Sequence, residues 1–132
     1  MDWYRKWSMK CDDSCRVPEF IAVDYQYVGG GCGMKDLAYF VGSCLYEDEC
    51  ERMESTILDF YFQTLHKALK QKQKEINFKE LEANWRKLYY FAWADFHRFM
   101  KGWTPGHLNK TSYSERLVER IIGHIKKGET PN

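Results

Sequence analysis

The sequence predicts an α+β domain, mostly α, in which a short N-terminal β-hairpin is followed by about four helices. Three observations carry this expectation. An apolar run of strand formers, Phe20-Ile21-Ala22-Val23, ends on an acid, Asp24. Glycines at 29, 30, 31 and 33 then make a turn before a short helical pattern. From Glu47 onward the chain is a series of amphipathic stretches separated by helix start and stop signals.

In the hairpin, Trp7, Met9 and Cys11 alternate with polar Ser8, Lys10 and Asp12, which is the period of a half-buried strand. Asp12, Asp13 and Ser14 form a turn, and Pro18 ends the loop before the Phe20 strand. Two strands alone are marginal in water, so they require a helical layer to pack on. The Asp36 carboxylate is suited to cap a helix over residues 37–45.

The helical part follows. Asp48 with Glu51 has capping-box spacing, and Met53, Ile57, Phe60, Tyr61, Leu65 and Ala68 form a stripe at helical spacing. The polar run over residues 70–75 reads as a solvated helix end. Asn77 with Glu80 starts the next helix, whose stripe is Phe78, Leu81, Trp85, Leu88, Ala92, Phe96 and Phe99. Gly102, Pro105 and Gly106 mark a turn. Within it, Trp103 and His107 either line a pocket or, more simply, plug the core and sit on the surface, respectively. Ser112 with Glu115 opens a last helix carrying Leu117, Val118, Ile121, Ile122 and Ile125, which Gly128 and Pro131 end. His66, His97 and His124 fall on separate helices without paired spacing, so they read as structural or solvated.

The totals bound the function. A chain of 132 residues is one domain at most, and 44% hydrophobic content is enough for a core. With 20 basic and 19 acidic residues, the balance of +1 gives no electrostatic footprint for nucleic acid or an anionic membrane. No apolar segment has signal-peptide or transmembrane length. Cys11, Cys15, Cys32, Cys44 and Cys50 are an odd number outside a secretory context, which points to free thiols in the cytoplasm. Cys11 and Cys15 lack a second Cys or His pair at zinc-ligand spacing.

Residues 23–42, VDYQYVGGGCGMKDLAYFVG, resemble the metal-binding segment of the choline kinase-like, ecdysteroid kinase-like and aminoglycoside phosphotransferase-like families. ADFHRFMKGWTPGH, residues 94–107, resembles a late segment of ecdysteroid kinase-like proteins, and the two motifs occur in the family order. The resemblance implies that residues 1–132 are a single partial domain, the C-terminal lobe of a kinase-like phosphotransferase. Residues 1–35 would hold the hairpin and metal turn, and residues 36–132 the helices. It implies ATP and Mg2+ as cofactors, Asp24 as the metal ligand, Gln26 as a neighbour of the site and Asp36 as the structural anchor. A strand-end carboxylate beside glycines suits a hard cation held over phosphates.

The catalytic loop departs from the family pattern, which runs like His-Gly-Asp-x-Trp-x-x-Asn. Setting Trp3 on the family's Trp puts Met1 at the Asp position and Lys6 at the Asn position. Lys6 lines the site at best, because a cationic ammonium cannot ligate Mg2+. Phosphoryl transfer needs a nucleotide-covering loop, a strand lysine, metal ions and a catalytic Asp. Only the metal Asp is identifiable, so the chain alone is expected to be inactive. Two classes compete: a fragment or degenerate member of a small-molecule kinase acting on a hydroxyl, and a non-catalytic binding or scaffold module. Either would expose apolar surface inviting an N-lobe, another chain or a second copy.

Overall fold

The computed structural model describes residues 29–104 and 112–128. The chain divides into compact units at Gly31/Cys32, and the helices among the described residues belong to the second. The expected hairpin, together with Lys6, Asp24, Gln26 and His107, lies outside the described residues. Four helices make up the described part: α1 (Met34–Cys44), α2 (Glu47–Gln71), α3 (Phe78–Trp103) and α4 (Tyr113–Lys127). No strand occurs among these residues. The long α3 packs most extensively against α1 and α4.

The local signals explain most boundaries. At the start of α3, Asn77 Oδ1 accepts from the Glu80 backbone N–H at 3.3 Å, and Asn77 Nδ2 donates to Glu80 Oε2 at 3.1 Å. Ser112 Oγ accepts from the Glu115 N–H at 3.2 Å and so caps α4. Gly128 closes α4 with φ of +69°, the left-handed conformation that glycine adopts without a Cβ penalty. Residues 72–77 form the exposed link after α2, so the polar run over residues 70–75 spans the helix end.

Two starts differ from expectation. Helix α1 begins at Met34 behind Gly33, so Asp36 is an exposed residue of the first turn and not the cap. An acid there still complements the helix dipole. Helix α2 starts at Glu47, with Tyr46 as its N-cap; the Tyr46 backbone N–H donates to Glu49 Oε2 at 3.0 Å. The box anticipated at Asp48 and Glu51 is therefore displaced by two residues. Short acidic runs offer several registers, and contacts with the rest of the fold select one.

The core is one cluster. Met34, Ala38 and Val41 of α1 meet Cys50, Leu58 and Phe62 of α2, Tyr89, Ala92 and Trp93 of α3, and Tyr113, Leu117 and Ile121 of α4. The α2 stripe is rotated from the one the sequence suggested. Leu58 and Phe62 are buried, whereas Phe60 is 70% exposed and Ala68 is exposed. Phe60 sits about 200° around the helix from Phe62, so both cannot face one core. Leu88, Phe99, Ile122 and Ile125 are likewise exposed on their helices. Trp103 does not plug the core: α3 continues through Gly102, and Trp103 is 73% exposed with its ring stacked on Phe99 at 5.9 Å.

Close approach of α1 to α3 rests on Gly42, where an added Cβ would overlap the buried Phe96 ring. Gly123, inside α4, has open space around it. The two glycines should therefore respond oppositely to alanine. Gly42→Ala is expected to destabilise by about 1–3 kcal/mol through overpacking. Gly123→Ala should stabilise by about 0.5–1 kcal/mol through helix propensity. Chemical denaturation of the two variants measures both signs.

Candidate functional site

The described part of the chain concentrates its buried polar groups where α3 meets the N-terminal ends of α2 and α4. Glu47, in the first turn of α2, reaches across to α4. Its Oε2 accepts from the Ser114 backbone N–H at 2.8 Å, and its Oε1 accepts from Ser114 Oγ at 2.7 Å. Ser114 Oγ in turn accepts from Trp93 Nε1 of α3 at 2.9 Å. One carboxylate thus caps a helix that is not its own, where free backbone N–H groups favour negative charge. The hydroxyl both donates and accepts, so its position is fixed from two sides.

A small cleft of about 70 Å³ lies beside this network, lined by residues that include Gly42, Leu45, Cys50, Phe96, His97 and Met100. Cys50 is buried; its thiol faces the Val41 carbonyl at 3.9 Å and the Leu45 carbonyl at 3.8 Å. Burial first, then the nearby Glu47 and Glu49 carboxylates, push that thiol up to about 12. It stays protonated at neutral pH and is no nucleophile, since the thiolate is the reactive form. His97 is only 3% exposed. Its Nε2 lies 3.4 Å from Glu115 Oε1, the atom that also takes Lys101 Nζ at 2.6 Å. The Lys101 contact, working against burial, holds the Glu115 carboxyl below its usual range.

A second interhelical junction joins α2, α3 and α4. Tyr90 donates its hydroxyl to Glu54 Oε1 at 2.9 Å, and the Arg120 guanidinium lies 5.9 Å from the Tyr90 ring centre. Burial raises the Glu54 carboxyl above its usual range, with the Tyr90 hydrogen bond and Arg120 opposing. Midway along α2, Arg86 of α3 pairs with Asp59 at 2.6 Å and with Glu82 at 2.7 Å, over the Phe62 ring.

These arrangements are suited to holding helices, and none presents a free nucleophile with a base. Ser114 gives its proton to Glu47 and is buried. Among the described residues, no three or more His, Cys, Asp or Glu side chains are grouped to hold a metal. No helix among them is long and apolar enough to cross a membrane. Of the four residues assigned to the kinase-like site by resemblance, Lys6, Asp24, Gln26 and Asp36, only Asp36 is described, exposed in the first turn of α1. It is not part of the Glu47–Ser114–Trp93 network. The sequence did hold a signal for that network. Ser114 stands three and seven residues before Leu117 and Ile121, and His97 stands four after Trp93, so each is a polar group on a buried stripe. Such a group requires a partner.

Taken together, these features define a helical domain organised by buried interhelical polar contacts. A family model, DUF1679, described as "Uncharacterized oxidoreductase dhs-27", matches residues 7–123. The chain belongs to this family. No curated protein and no solved structure matches it.

Two measurements test the energetics of the two junctions. In a double-mutant cycle of Glu47→Ala and Ser114→Ala, the coupling energy should be about 0.5–3 kcal/mol, because the two side chains share one network. Additive losses would mean that the pair contributes nothing jointly. For Glu54, the raised carboxyl makes the folded state bind more protons than the unfolded one over the window above its ordinary pKa. Its contribution to stability is present below that window and is lost as pH rises through the folded pKa. Glu54→Gln should flatten this segment of the stability–pH curve, as measured by urea unfolding from acidic to neutral pH.

Proposed function

We propose that this chain is the C-terminal lobe of a small-molecule kinase of the choline kinase-like and ecdysteroid kinase-like type, a fragment or degenerate member that does not transfer phosphate by itself. The observation that carries the reading is the ordered pair of motifs, VDYQYVGGGCGMKDLAYFVG at residues 23–42 and ADFHRFMKGWTPGH at residues 94–107. Both fall inside the family match. In this reading Asp24, with Gln26 beside it, would hold Mg2+. The ion supplies charge neutralisation for the phosphates of ATP. Asp24 offers one carboxylate and Gln26 one carbonyl oxygen, a donor set compatible with a hard cation that also leans on phosphate oxygens. Met1 and Lys6 stand where the family places its catalytic Asp and Asn, and this supports inactivity of these 132 residues alone.

The family description names an oxidoreductase, and dinucleotide binding has its own requirement. The fingerprint G-x-G-x-x-G uses its second glycine for close approach to the pyrophosphate and keeps a third where helix and strand pack closely. Here the run is Gly31-Cys32-Gly33-Met34-Lys35-Asp36, with an acid at the third position. Asp36 lies in the first turn of α1, where its charge would repel a pyrophosphate.

A non-catalytic binding module is the second reading, and the exposed aromatics favour it. Phe40 is 66% exposed on α1, while Tyr39, Phe99 and Trp103 form a connected ring series, with centroids 6.2 Å and 5.9 Å apart. Exposed apolar patches of this kind mark interaction surfaces.

Calorimetric titration with MgATP, repeated on Asp24→Ala, tests the first reading, with NADH as the control ligand. Heat that disappears in the variant, without ATP turnover, is the expected result. A folded chain that gives no heat with MgATP would leave the binding-module reading, and heat with NADH instead would overturn the kinase reading.

A further inference from the structure

We propose that α4 pairs antiparallel with α4 of a second copy of this chain, along a seam of Ile122 and Ile125. These side chains are 44% and 59% exposed, and at three residues apart they are neighbours on one face. Val118, half-buried, extends the stripe. The steps of four and then three residues are the a and d spacing by which one helix packs on another. A different face of α4 turns to the chain's own core, with Tyr113, Ser114, Leu117 and Ile121.

The charges beside the seam select the occupant. Glu119 and Lys126 are exposed, and neither has an ion-pair partner among the described residues. Seven residues separate them, so they share one flank of the helix but stand about 10.5 Å apart along its axis. Pairs within a helix form at three or four residues. In an antiparallel pair related by a two-fold axis, like flanks face each other. Setting Ile122 opposite Ile125 of the second copy then brings Glu119 beside Lys126 of the second copy, and the symmetry forms each contact twice. A parallel pair would turn Glu119 and Lys126 toward Ser114 and Ile121 instead, which are buried and uncharged. The charge pattern therefore fits a second copy in one orientation. Stable interfaces bury about 1,200 Å² or more in total. Two overlapping turns of helix fall below that, so the pairing is weak and shows at high protein concentration.

Sedimentation velocity of the full chain, from micromolar to millimolar concentration, tests this. The wild type should pass from monomer to dimer over that range. Glu119→Lys or Lys126→Glu alone sets like charges against each other twice, and each should weaken association by about tenfold or more. Mixing the two variants restores opposite charges between unlike chains, so the mixture should associate as the wild type does. Both positions are exposed, and circular dichroism of each variant checks that the helices are kept. Three results overturn the proposal. One is a wild type that stays monomeric to millimolar concentration, and another is a mixture that does not recover. The third is association that the variants leave unchanged, which would move the interface to the rings of Phe40, Phe99 and Trp103.

Discussion

The bond pair from Ser114 to the Glu47 carboxylate is the constraint on which the helical arrangement depends. Every α-helix begins with backbone N–H groups that lack intrahelical partners. At α4, Ser112 satisfies the Glu115 N–H, and Glu47, from a different helix, satisfies the Ser114 N–H at 2.8 Å. The start of α4 is thereby fixed relative to the start of α2, 67 residues earlier in the chain. Trp93 extends the tie to α3 through Ser114 Oγ. A half-buried carboxylate still loses hydration that donors must replace, and here the donors are present only when α2 and α4 are in register. The network accordingly rewards one packing of α2, α3 and α4 over rotated alternatives that apolar contacts alone would separate less sharply.

Packing around this node follows from the size of the α3 side chains. Tyr89 and Trp93 lie 5.7 Å apart, and Trp93 meets Tyr113 edge-on at 5.5 Å. Large rings on the central helix fill the space between neighbours, but they need facing positions where backbone comes close. Gly42 supplies one such position on α1, with its backbone against Phe96. Polar tips at the margins are then used: Tyr90 to Glu54 on one side, Lys101 to Glu115 on the other. The ion pairs at the surface, such as Arg116 with Glu51 and Arg98 with Asp95, contribute little by comparison, since exposed pairs are typically worth about 0–1 kcal/mol.

Helix existence was legible from the sequence because caps and periodicity act locally. Asn77 with Glu80, Ser112 with Glu115, and Gly128 each specify an end within a few residues, and each is used as the pattern suggested. Helix rotation was less legible. Phe60 competes with Leu58 and Phe62 for the buried face, and only the positions of α3 and α4 decide in favour of the latter two. Trp103 was misleading for a related reason: residue size favours burial, but α3 extends past the core before it ends. The Glu47–Ser114 tie was not legible as a pair, because nothing local links residues so far apart. Only its half-signal, a serine on an apolar stripe, was present. Lys6, Asp24 and Gln26 lie outside the described residues, so the proposed metal site remains a reading of sequence.

The division of labour along the chain bears on what the protein does. Several titratable side chains of the helical part are committed to structure. Glu47 caps α4, Cys50 is a protonated core thiol, and Glu115 is held by Lys101. Phosphoryl transfer draws its power from positioned charges around the phosphates. A platform of this kind contributes by rigidity and by the faces it offers to other elements. In the proposed reading, the charge that meets phosphate belongs to Asp24, which lies outside the described residues. The rings of Phe40, Phe99 and Trp103 are exposed apolar surface of the kind that marks interaction sites. In the proposed reading, a kinase-like lobe and a binding module would each set a partner or ligand over those rings, and they differ in whether Asp24 holds a cation.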